Sequence, residues 1–455
     1  MIDNTVTWPS RWERLGLMAF FVALVGFGVI VEVRTAFLSR KMGDLDCYLR
    51  PAWAIRKGLD FYEIKDDCGW HYNYPPLFAI LMTPLADPPV GTDRTGMLPF
   101  ALSAAIWYLA SVGFIAIGIY WLATALEKTS ANPAVRSQPW GCRRWWALRI
   151  IPALVCLPPM GHSLMRGQVN PLVLMLLCGM IAATIRGQGL RSGLCLAGMI
   201  CIKVYPAFLL LYPVWRRDRR CLVGCVLGLF LGLIAVPTMA FGVPRTWAYY
   251  QEYYQVTLAP ALGMGSDQSR AVELIDVPAT DSQSFLAVFH NTLHPDRATR
   301  PRQASLAVRA SSLAAGALMT LITLLAVYRR RTDTGPVAVL FPSALMIVML
   351  LLSPVCHLHY FAFLAPLVMG LIDAKWQQGH DDKLGLGLLI LFSVNVTVNA
   401  LPNFPIMSLS RDFGLAASGT LILWLAAIWT IRKLPSESIT SPAHLDDVGQ
   451  QRLCA

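Results

Sequence analysis

Residues 43–85 read GDLDCYLRPAWAIRKGLDFYEIKDDCGWHYNYPPLFAILMTPL, and no later part of the chain resembles them. The stretch follows directly on the first long hydrophobic run. Asp44 and Asp46 open it, an amphipathic helical pattern passes through Trp53, and an aromatic corner at 72–76 leads out of it. Ionisable groups among aromatic residues at a membrane boundary indicate a functional site. The remaining chain is predicted to be a scaffold that holds this stretch in place.

The composition predicts a membrane protein. The chain has 455 residues, of which 55% are hydrophobic and only 14% are charged, and its mean hydropathy is +0.51. A soluble chain carries about 25% charged residues. Several apolar runs approach the roughly 20 residues that span a bilayer as a helix, and they are continuous rather than alternating, which argues against a β-barrel. We therefore expect an all-α, polytopic bundle of about 10–12 membrane segments, some of them short or broken.

The hydrophobic runs place these segments along the chain. Candidate spans lie at 15–36, 99–125, 148–160, 171–185, 193–203, 205–215, 221–241, 304–328, 336–353, 359–373, 384–400 and 412–431. No signal-peptide cleavage site follows the first run, so we expect it to remain as a helix. The runs at 193–203 and 205–215 are each too short to cross. Because Pro206 disfavours helix in the residue before it, we interpret them as a broken pair that enters and leaves on one side.

Basic residues indicate the orientation. When Arg11 and Arg14 are placed in the cytoplasm, every short basic loop falls on that face, as the positive-inside rule requires. Those loops are 128–149, 186–191, 216–220, 329–331, 375–383 and 432–433. The outer face then receives 37–98, 161–170, 242–303 and 353–360. The net charge of +11 is thereby explained as a topology signal, and it gives no reason to expect nucleic acid as a partner.

This orientation divides the chain into three parts. They are a cytoplasmic N-terminus at 1–14, a transmembrane domain at 15–431 with external loops at 37–98 and 242–303, and a polar cytoplasmic tail at 432–455. The eleven cysteines form no CxxC pair, so no metal site is indicated. Cys47 and Cys68 share the first external loop, where a disulfide between them is a possibility that the sequence leaves open.

Several short motifs follow one another along the chain. They are Asp44-x-x-x-Tyr48, Gly58-Leu59-Asp60-Phe61-Tyr62, Tyr74-Pro75-Pro76-Leu77, Arg166-Gly167-Gln168-Val169-Asn170, Ile202-Lys203-Val204-Tyr205-Pro206, Ser282-Gln283-Ser284 and Ser353-Pro354-Val355-Cys356-His357-Leu358-His359-Tyr360. In this order they resemble the motifs of glycosyltransferase family 87. The resemblance covers about residues 15–431. It implies a membrane enzyme of the GT-C type that takes a sugar, mannose above all, from a polyprenyl-phosphate carrier. The chain departs from the family at His357, where an aromatic residue is usual.

The resemblance implies a set of catalytic residues. The acceptor hydroxyl must lose a proton as it attacks, so a carboxylate should lie within hydrogen-bond reach of it. Asp44 matches the family motif and is the expected base, while Asp46 remains the alternative. Lys203 and Arg166 are expected to stabilise the leaving phosphate, since a lysine between two apolar runs is costly without an anionic partner. His359 is expected to hydrogen-bond the phosphate or the acceptor.

Further side chains are candidates for binding the donor or acceptor. Those with polar or aromatic groups suited to a sugar are Tyr48, Tyr74, Gln168, Asn170, Gln283, Ser284 and Tyr360. The Asp44-Leu45-Asp46 spacing could chelate a divalent ion. The resemblance nevertheless implies a metal-independent enzyme, and a phosphate met by lysine and arginine needs no metal to balance its charge. We expect no metal and no cofactor beyond the lipid-phosphate donor.

The predicted function is hexose transfer, with inversion, to a lipid or cell-envelope glycan acceptor on the extracytoplasmic face of the plasma membrane. Its partners would be membrane lipids, the polyprenyl-phosphate-sugar donor and the acceptor. A transporter or flippase of a lipid-linked sugar is the alternative, because a lysine beside a broken helix also suits a substrate pathway. A transferase with an arabinosyl or glucosyl donor is a second alternative. The sequence leaves the sugar, the acceptor, the linkage and the oligomeric state open.

Overall fold

The computed structural model describes residues 8–39, 41–130, 136–262, 264, 270–275, 277–279, 281–328, 335–378, 383–399, 401 and 405–434. Within these ranges the regular elements are helices, apart from one isolated β-bridge between Lys65 and His71. The predicted basic loop at 329–331 and most of the predicted polar tail lie outside the described residues.

The α-helices are numbered here in chain order. They are α1 Arg11–Glu32, α2 Asp46–Lys57, α3 Pro76–Leu81, α4 Phe100–Thr129, α5 Arg143–Val155, α6 Leu157–Arg166, α7 Asn170–Ile185, α8 Gly189–Ile202, α9 Leu211–Arg216, α10 Arg219–Leu229, α11 Val236–Phe241, α12 Val243–Tyr253, α13 Ala259–Ala261, α14 Ala271–Leu274, α15 Phe285–Leu293, α16 Leu306–Val327, α17 Gly335–Leu352, α18 Ala365–Gln378, α19 Lys383–Val398, α20 Pro405–Asp412 and α21 Leu415–Lys433. Turns of π-helix at Val33–Ser39, Phe230–Ala235 and Tyr254–Leu258, and of 3₁₀-helix at Thr83–Leu85, Tyr205–Leu210 and Leu358–Leu364, extend or join them.

Seven helical stretches in the described part of the chain are long and apolar enough to cross a membrane. They are Arg11–Ser39, Phe100–Thr129, Arg219–Phe241, Leu306–Val327, Gly335–Leu352, Leu358–Gln377 and Leu415–Lys433. The pair α5 and α6, bent by 65° at their junction, would be an eighth, and α7, α8 and α19 are shorter apolar helices. The prediction of an all-α, multi-pass membrane bundle with short and broken helices is therefore confirmed.

The most buried helix is α17. It is apolar on all sides, and its residues from Pro336 to Leu351 are buried. A helix that is hydrophobic all round belongs in the interior of a bundle. At the other extreme, only 6% of the most apolar part of Arg11–Ser39, the stretch that contains α1, is buried. This stretch therefore lies at the periphery, with its side chains available to lipid.

One boundary prediction is wrong. Residues 161–166 were expected in an outer turn, but they continue a helix, α6, that starts at Leu157. Pro158 and Pro159 lie in the first turn of α6, where proline is tolerated because its missing N–H would have no helical partner. The chain therefore bends between α5 and α6 and then resumes as helix. Gly167, at φ +69°, ends α6.

The predicted break in the helix at Lys203 is confirmed. α8 ends at Ile202, and Lys203 has an extended backbone, with φ −135° and ψ 126°. A 3₁₀-helix, Tyr205–Leu210, follows and leads into α9. The interruption places the side chain of Lys203 at a point where the backbone changes direction inside the bundle.

The first predicted outer loop is held together by an ion pair of its own and also contacts the second predicted outer loop. In the first loop, Arg50 is buried and forms two hydrogen bonds of 2.7 Å with the carboxylate of Asp67. His71 Nδ1 of the same loop lies 2.7 Å from Glu273 Oε1 of the second.

The disulfide that the sequence left open is not formed: Cys47 and Cys68 are both free thiols.

Candidate active site

Asp44 and Arg166, which come from different motifs, meet at the centre of the candidate site. The Asp44 carboxylate Oδ2 accepts a hydrogen bond from Arg166 Nε in an ion pair, and the backbone N–H of Asp44 donates to the Arg166 carbonyl at 3.0 Å. The close approach depends on Gly167, because a Cβ at that position would lie 2.6 Å from Leu45 Cβ. The first outer loop is thereby fixed to the end of α6.

Asp46 has a different environment from Asp44. Its side chain is buried at the start of α2, and Oδ2 accepts a hydrogen bond from the Met42 N–H at 3.4 Å. Burial raises the pKa of Asp46 to about 7. The Asp44 side chain, by contrast, is 20% exposed. Asp44 is therefore the more accessible of the two carboxylates.

Lys203 is enclosed by an amide and three aromatic rings. The residue is 3% exposed, and Nζ donates a hydrogen bond of 2.8 Å to Asn170 Oδ1. The ammonium lies 4.9 Å from the ring centroid of Tyr360, 5.4 Å from that of Tyr74 and 5.8 Å from that of Tyr205. Aromatic faces at such distances attract a cation. An ammonium has three N–H donors, so this arrangement leaves donor capacity for an anion.

Asn170 joins the lysine to the histidine-containing loop. It is fully buried in the first turn of α7, and its Nδ2 donates to the His359 carbonyl at 3.3 Å. The same amide thus holds Lys203 through its oxygen and His359 through its nitrogen. Three residues that the sequence nominated separately form one connected unit.

His359 stacks on a histidine that the sequence did not single out. The ring of His162 lies parallel to that of His359, with 5.7 Å between centroids and 12° between planes. His162 precedes Arg166 by four residues on α6, so both project from the same face of the helix. That spacing is visible in the sequence, but residues 161–170 were interpreted as a turn.

A second unpredicted residue is Asp281. Its Oδ2 lies 3.2 Å from Nδ1 of His357, so the outer loop 242–303 is joined to the segment that carries His359. Partial desolvation alone would raise the pKa of Asp281, but its contact with His357 and the charge of Arg166 lower it to about 2. Asp281 is therefore an anion that balances part of the positive charge at the site.

Tyr48 and Gln168 form a buried wall beside Tyr74. The Tyr48 hydroxyl donates to Gln168 Oε1 at 3.3 Å and lies 3.4 Å from the Tyr74 hydroxyl. The Tyr48 and Tyr74 rings meet edge to face, 5.5 Å apart. These groups fix the position of Tyr74, one of the rings around Lys203.

Gln283 and Ser284 are engaged in holding helices. Gln283 Oε1 accepts from the backbone N–H groups of Ala416 and Ala417 at 3.1 and 3.2 Å, and its Nε2 donates to the Arg411 carbonyl at 2.9 Å. Ser284 Oγ caps α15 by accepting from the Ala287 N–H at 3.2 Å. The polar atoms of both side chains therefore have backbone partners, and their expected role in binding sugar hydroxyls stays a prediction.

The two carboxylates of the Asp44-Leu45-Asp46 sequence point to different partners. Asp44 faces Arg166, whereas Asp46 faces the Met42 N–H. In the ranges that the structure describes, no group of three or more His, Cys, Asp or Glu side chains is arranged to hold a metal ion.

Comparison with known proteins shows to which family the chain belongs. The sequence profile of glycosyltransferase family 87 matches residues 72–354. The chain belongs to glycosyltransferase family 87. It is therefore an enzyme that transfers a sugar, and the transporter alternative is set aside.

Two relatives of this family 87 enzyme carry a more specific name. The polyprenol-phosphate-mannose-dependent alpha-(1-2)-phosphatidylinositol mannoside mannosyltransferase of Mycobacterium tuberculosis (strain ATCC 25618 / H37Rv) is 28% identical over 408 residues, which cover 86% of this chain and 82% of the relative. The protein of the same name from Mycolicibacterium smegmatis (strain ATCC 700084 / mc(2)155) is 26% identical over 226 residues, 47% of this chain and 46% of that protein.

A solved structure also shows similarity. ArnT from Cupriavidus metallidurans, in a crystal structure bound to undecaprenyl phosphate, aligns with a TM-score of 0.39 and 13% identity, over 91% of this chain and 77% of ArnT.

Proposed function

We propose that this family 87 enzyme transfers a hexose, mannose in the first instance, from a polyprenyl-phosphate carrier to a lipid or cell-envelope glycan acceptor. The names of the two mannosyltransferase relatives support the donor. The observation that carries the proposal is the ion pair of the partly exposed Asp44 carboxylate with Arg166, together with the buried Lys203, on which the charge of Asp44 also acts, beside aromatic side chains. A lipid-phosphate sugar needs both kinds of group.

The proposed reaction is a single displacement with inversion. The acceptor oxygen forms a bond to the anomeric carbon while the bond from that carbon to the phosphate oxygen breaks, and its electron pair goes to the phosphate. Asp44 takes the proton of the acceptor hydroxyl as general base. The donor is a phosphodiester with one negative charge and the product is a phosphate monoester with two, so the leaving group gains one negative charge. The atoms and charges then balance.

Arg166 and Lys203 are proposed to stabilise this growing charge. The Arg166 side chain is 45% exposed, so its guanidinium can reach a phosphate while it pairs with Asp44. Lys203 is fixed by Asn170 and the tyrosine rings before the donor arrives. Preorganised cations at the position where charge develops are worth more in a water-excluded site than in water. Two cations also supply the charge that a metal would bring, so we propose a metal-independent reaction.

The proposed place of the reaction is the extracytoplasmic face of the plasma membrane. Trp107 of α4 donates through Nε1 to the Gly167 carbonyl at 2.8 Å, which puts that end of α4 beside the site. At a rise of 1.5 Å per residue, Lys128 lies about 30 Å further along the helix. The basic segment 136–149, which includes the first residues of α5, begins beyond Lys128, and the positive-inside rule assigns a segment of this charge to the cytoplasm.

The test is a transfer assay with the purified full-length protein in lipid nanodiscs. Polyprenyl-phosphate mannose, arabinose and glucose are offered separately with a lipid extract as acceptor. We expect glycosylated lipid and polyprenyl phosphate in equal amounts from the mannosyl donor, with an inverted anomeric configuration by NMR. Product from another donor alone would replace mannose in the proposal, and donor loss without release of polyprenyl phosphate would contradict it.

A further inference from the structure

The stacked pair of His162 and His359 has two polar atoms without a partner. Nδ1 of His162 and Nδ1 of His359 are both buried, and neither has a hydrogen-bond partner among the described residues. Buried polar atoms in folded proteins are nearly always hydrogen-bonded, so such an exception calls for an explanation. Two exceptions on adjacent rings indicate a shared ligand.

The surrounding charges indicate what kind of ligand this is. Arg166 lies one helical turn after His162 on α6, and the charges of Arg166 and Asp44 both act on His162. The charge of Lys203 acts on His359. A guanidinium and an ammonium beside imidazole nitrogens favour a ligand that has more than one negative charge and several acceptor oxygens. A phosphate monoester has both properties.

We propose that His162 is a substrate-binding residue that contacts the phosphate of the lipid carrier together with His359. The inference rests on the proposed function, and it extends it to a residue that neither the family motifs nor the sequence pattern assigned. His162 meets the phosphate from the α6 side, and His359 meets it from the segment that follows α17. The pair is best matched to the product, because the phosphate carries its second negative charge only after the sugar has left.

The experiment measures binding of the product head group by the full-length protein in detergent. Farnesyl phosphate is the lipid-phosphate probe, inorganic phosphate is the probe without a lipid, and farnesol is the lipid without a phosphate. His162→Phe keeps a ring for the stack and removes both nitrogens. We expect the affinity for farnesyl phosphate to fall about tenfold, the scale of one hydrogen bond to a charged group, while farnesol binding is unchanged.

Two further variants separate a lost contact from a damaged fold. His162→Gln retains a hydrogen-bond donor and is expected to recover most of the affinity for farnesyl phosphate. His294→Phe removes another half-buried histidine, one that packs against His290 rather than against the cluster, and should leave the affinity as in the wild type. If His162→Phe does not fold, the comparison of His162→Gln with a His162→Leu variant replaces it.

The outcomes decide the inference separately from the proposed function. Unchanged farnesyl phosphate binding in His162→Phe overturns the inference, and so does an equal loss of farnesol binding, which would mean lost packing. Loss of inorganic phosphate binding in the same variant supports a head-group contact independent of the lipid. If the wild type transfers no mannose but binds farnesyl phosphate in a manner dependent on His162, the proposed sugar fails and the phosphate site stands.

Discussion

Asp44 and Arg166 are 122 residues apart in the chain, yet they are joined twice, by a side-chain ion pair and by a hydrogen bond of 3.0 Å from the Asp44 N–H to the Arg166 carbonyl. The backbone bond fixes where the carboxylate is, independently of the charge pair. Substitution of either side chain should therefore leave the loop in place. This separation makes the chemical role of Asp44 testable without loss of the local fold.

Asp44→Asn is expected to reduce sugar transfer by a factor of about 10² to 10⁴, the usual contribution of a general base. Donor binding should persist, because Arg166 and Lys203 remain. The measurement is the rate of transfer at equal amounts of protein in the membrane, with the donor dissociation constant measured in parallel.

Asp46→Asn is the matched control for that experiment, since it makes the same change two residues away on a buried side chain. We expect it to keep most of the wild-type rate. Loss of transfer in Asp46→Asn but not in Asp44→Asn would move the base to Asp46, and full activity in both would refute the mechanism.

The stability of the protein should depend on pH through Asp46. Burial raises the pKa of this group from 3.8 to about 7, so between these values the folded protein binds a proton that the unfolded chain has lost. The proton therefore adds to the free energy of unfolding. This contribution is fully present below about pH 4 and is lost as the pH rises towards 7, and the whole change is about 4 kcal/mol.

Thermal unfolding in detergent from pH 5 to pH 8 measures this effect. Asp46→Asn keeps a neutral side chain at every pH, so its midpoint should fall less than that of the wild type across the range. Parallel curves for the two proteins would show that Asp46 is not the group responsible.

The sequence predicted the fold and part of the site for different reasons. Apolar runs and basic loops report directly on membrane crossing, so the helical bundle and the break at Lys203 were predictable. Asp44, Arg166 and Lys203 were nominated because motifs in family order carry them. Their contacts through Asn170 and the tyrosine rings depend on the packing of α6, α7 and α8, which no local pattern contains.

The failures have equally specific causes. His162 was missed because residues 161–170 were interpreted as an outer turn, whereas the helix α6 continues to Arg166. Asp281 acquires meaning only from its contact with His357 in another segment. The backbone partners of Gln283 had no signal in the sequence, because only the structure shows that its oxygen accepts a hydrogen bond from the Ala416 N–H.

Lys203→Met is expected to lower transfer at least a hundredfold and to weaken donor binding, because the methionine fills the volume without the charge. The change leaves the buried Asn170 oxygen without its donor, at a cost of about 1–3 kcal/mol in stability, so transfer is compared at equal amounts of folded protein. Lys433→Met provides a control: this lysine also lies over an aromatic ring, 4.5 Å from the centroid of Trp429, in the last turn of α21. Equal losses in the two variants would argue against a site-specific role.

The close contact between α8 and α10 should be disrupted by a single methyl group. A Cβ on Gly193 would lie 1.9 Å from the Cys221 carbonyl oxygen, so Gly193→Ala must push two backbones apart, at a cost of about 1–3 kcal/mol or more. Gly113→Ala in α4 is the matched control, because no heavy atom lies within 4 Å of its added Cβ and alanine favours helix by up to about 1 kcal/mol. The midpoints of thermal unfolding in detergent should therefore move in opposite directions. α8 leads directly into Lys203, so Gly193→Ala should also reduce transfer, and a variant that melts like the wild type would mean that the two helices do not pack this closely.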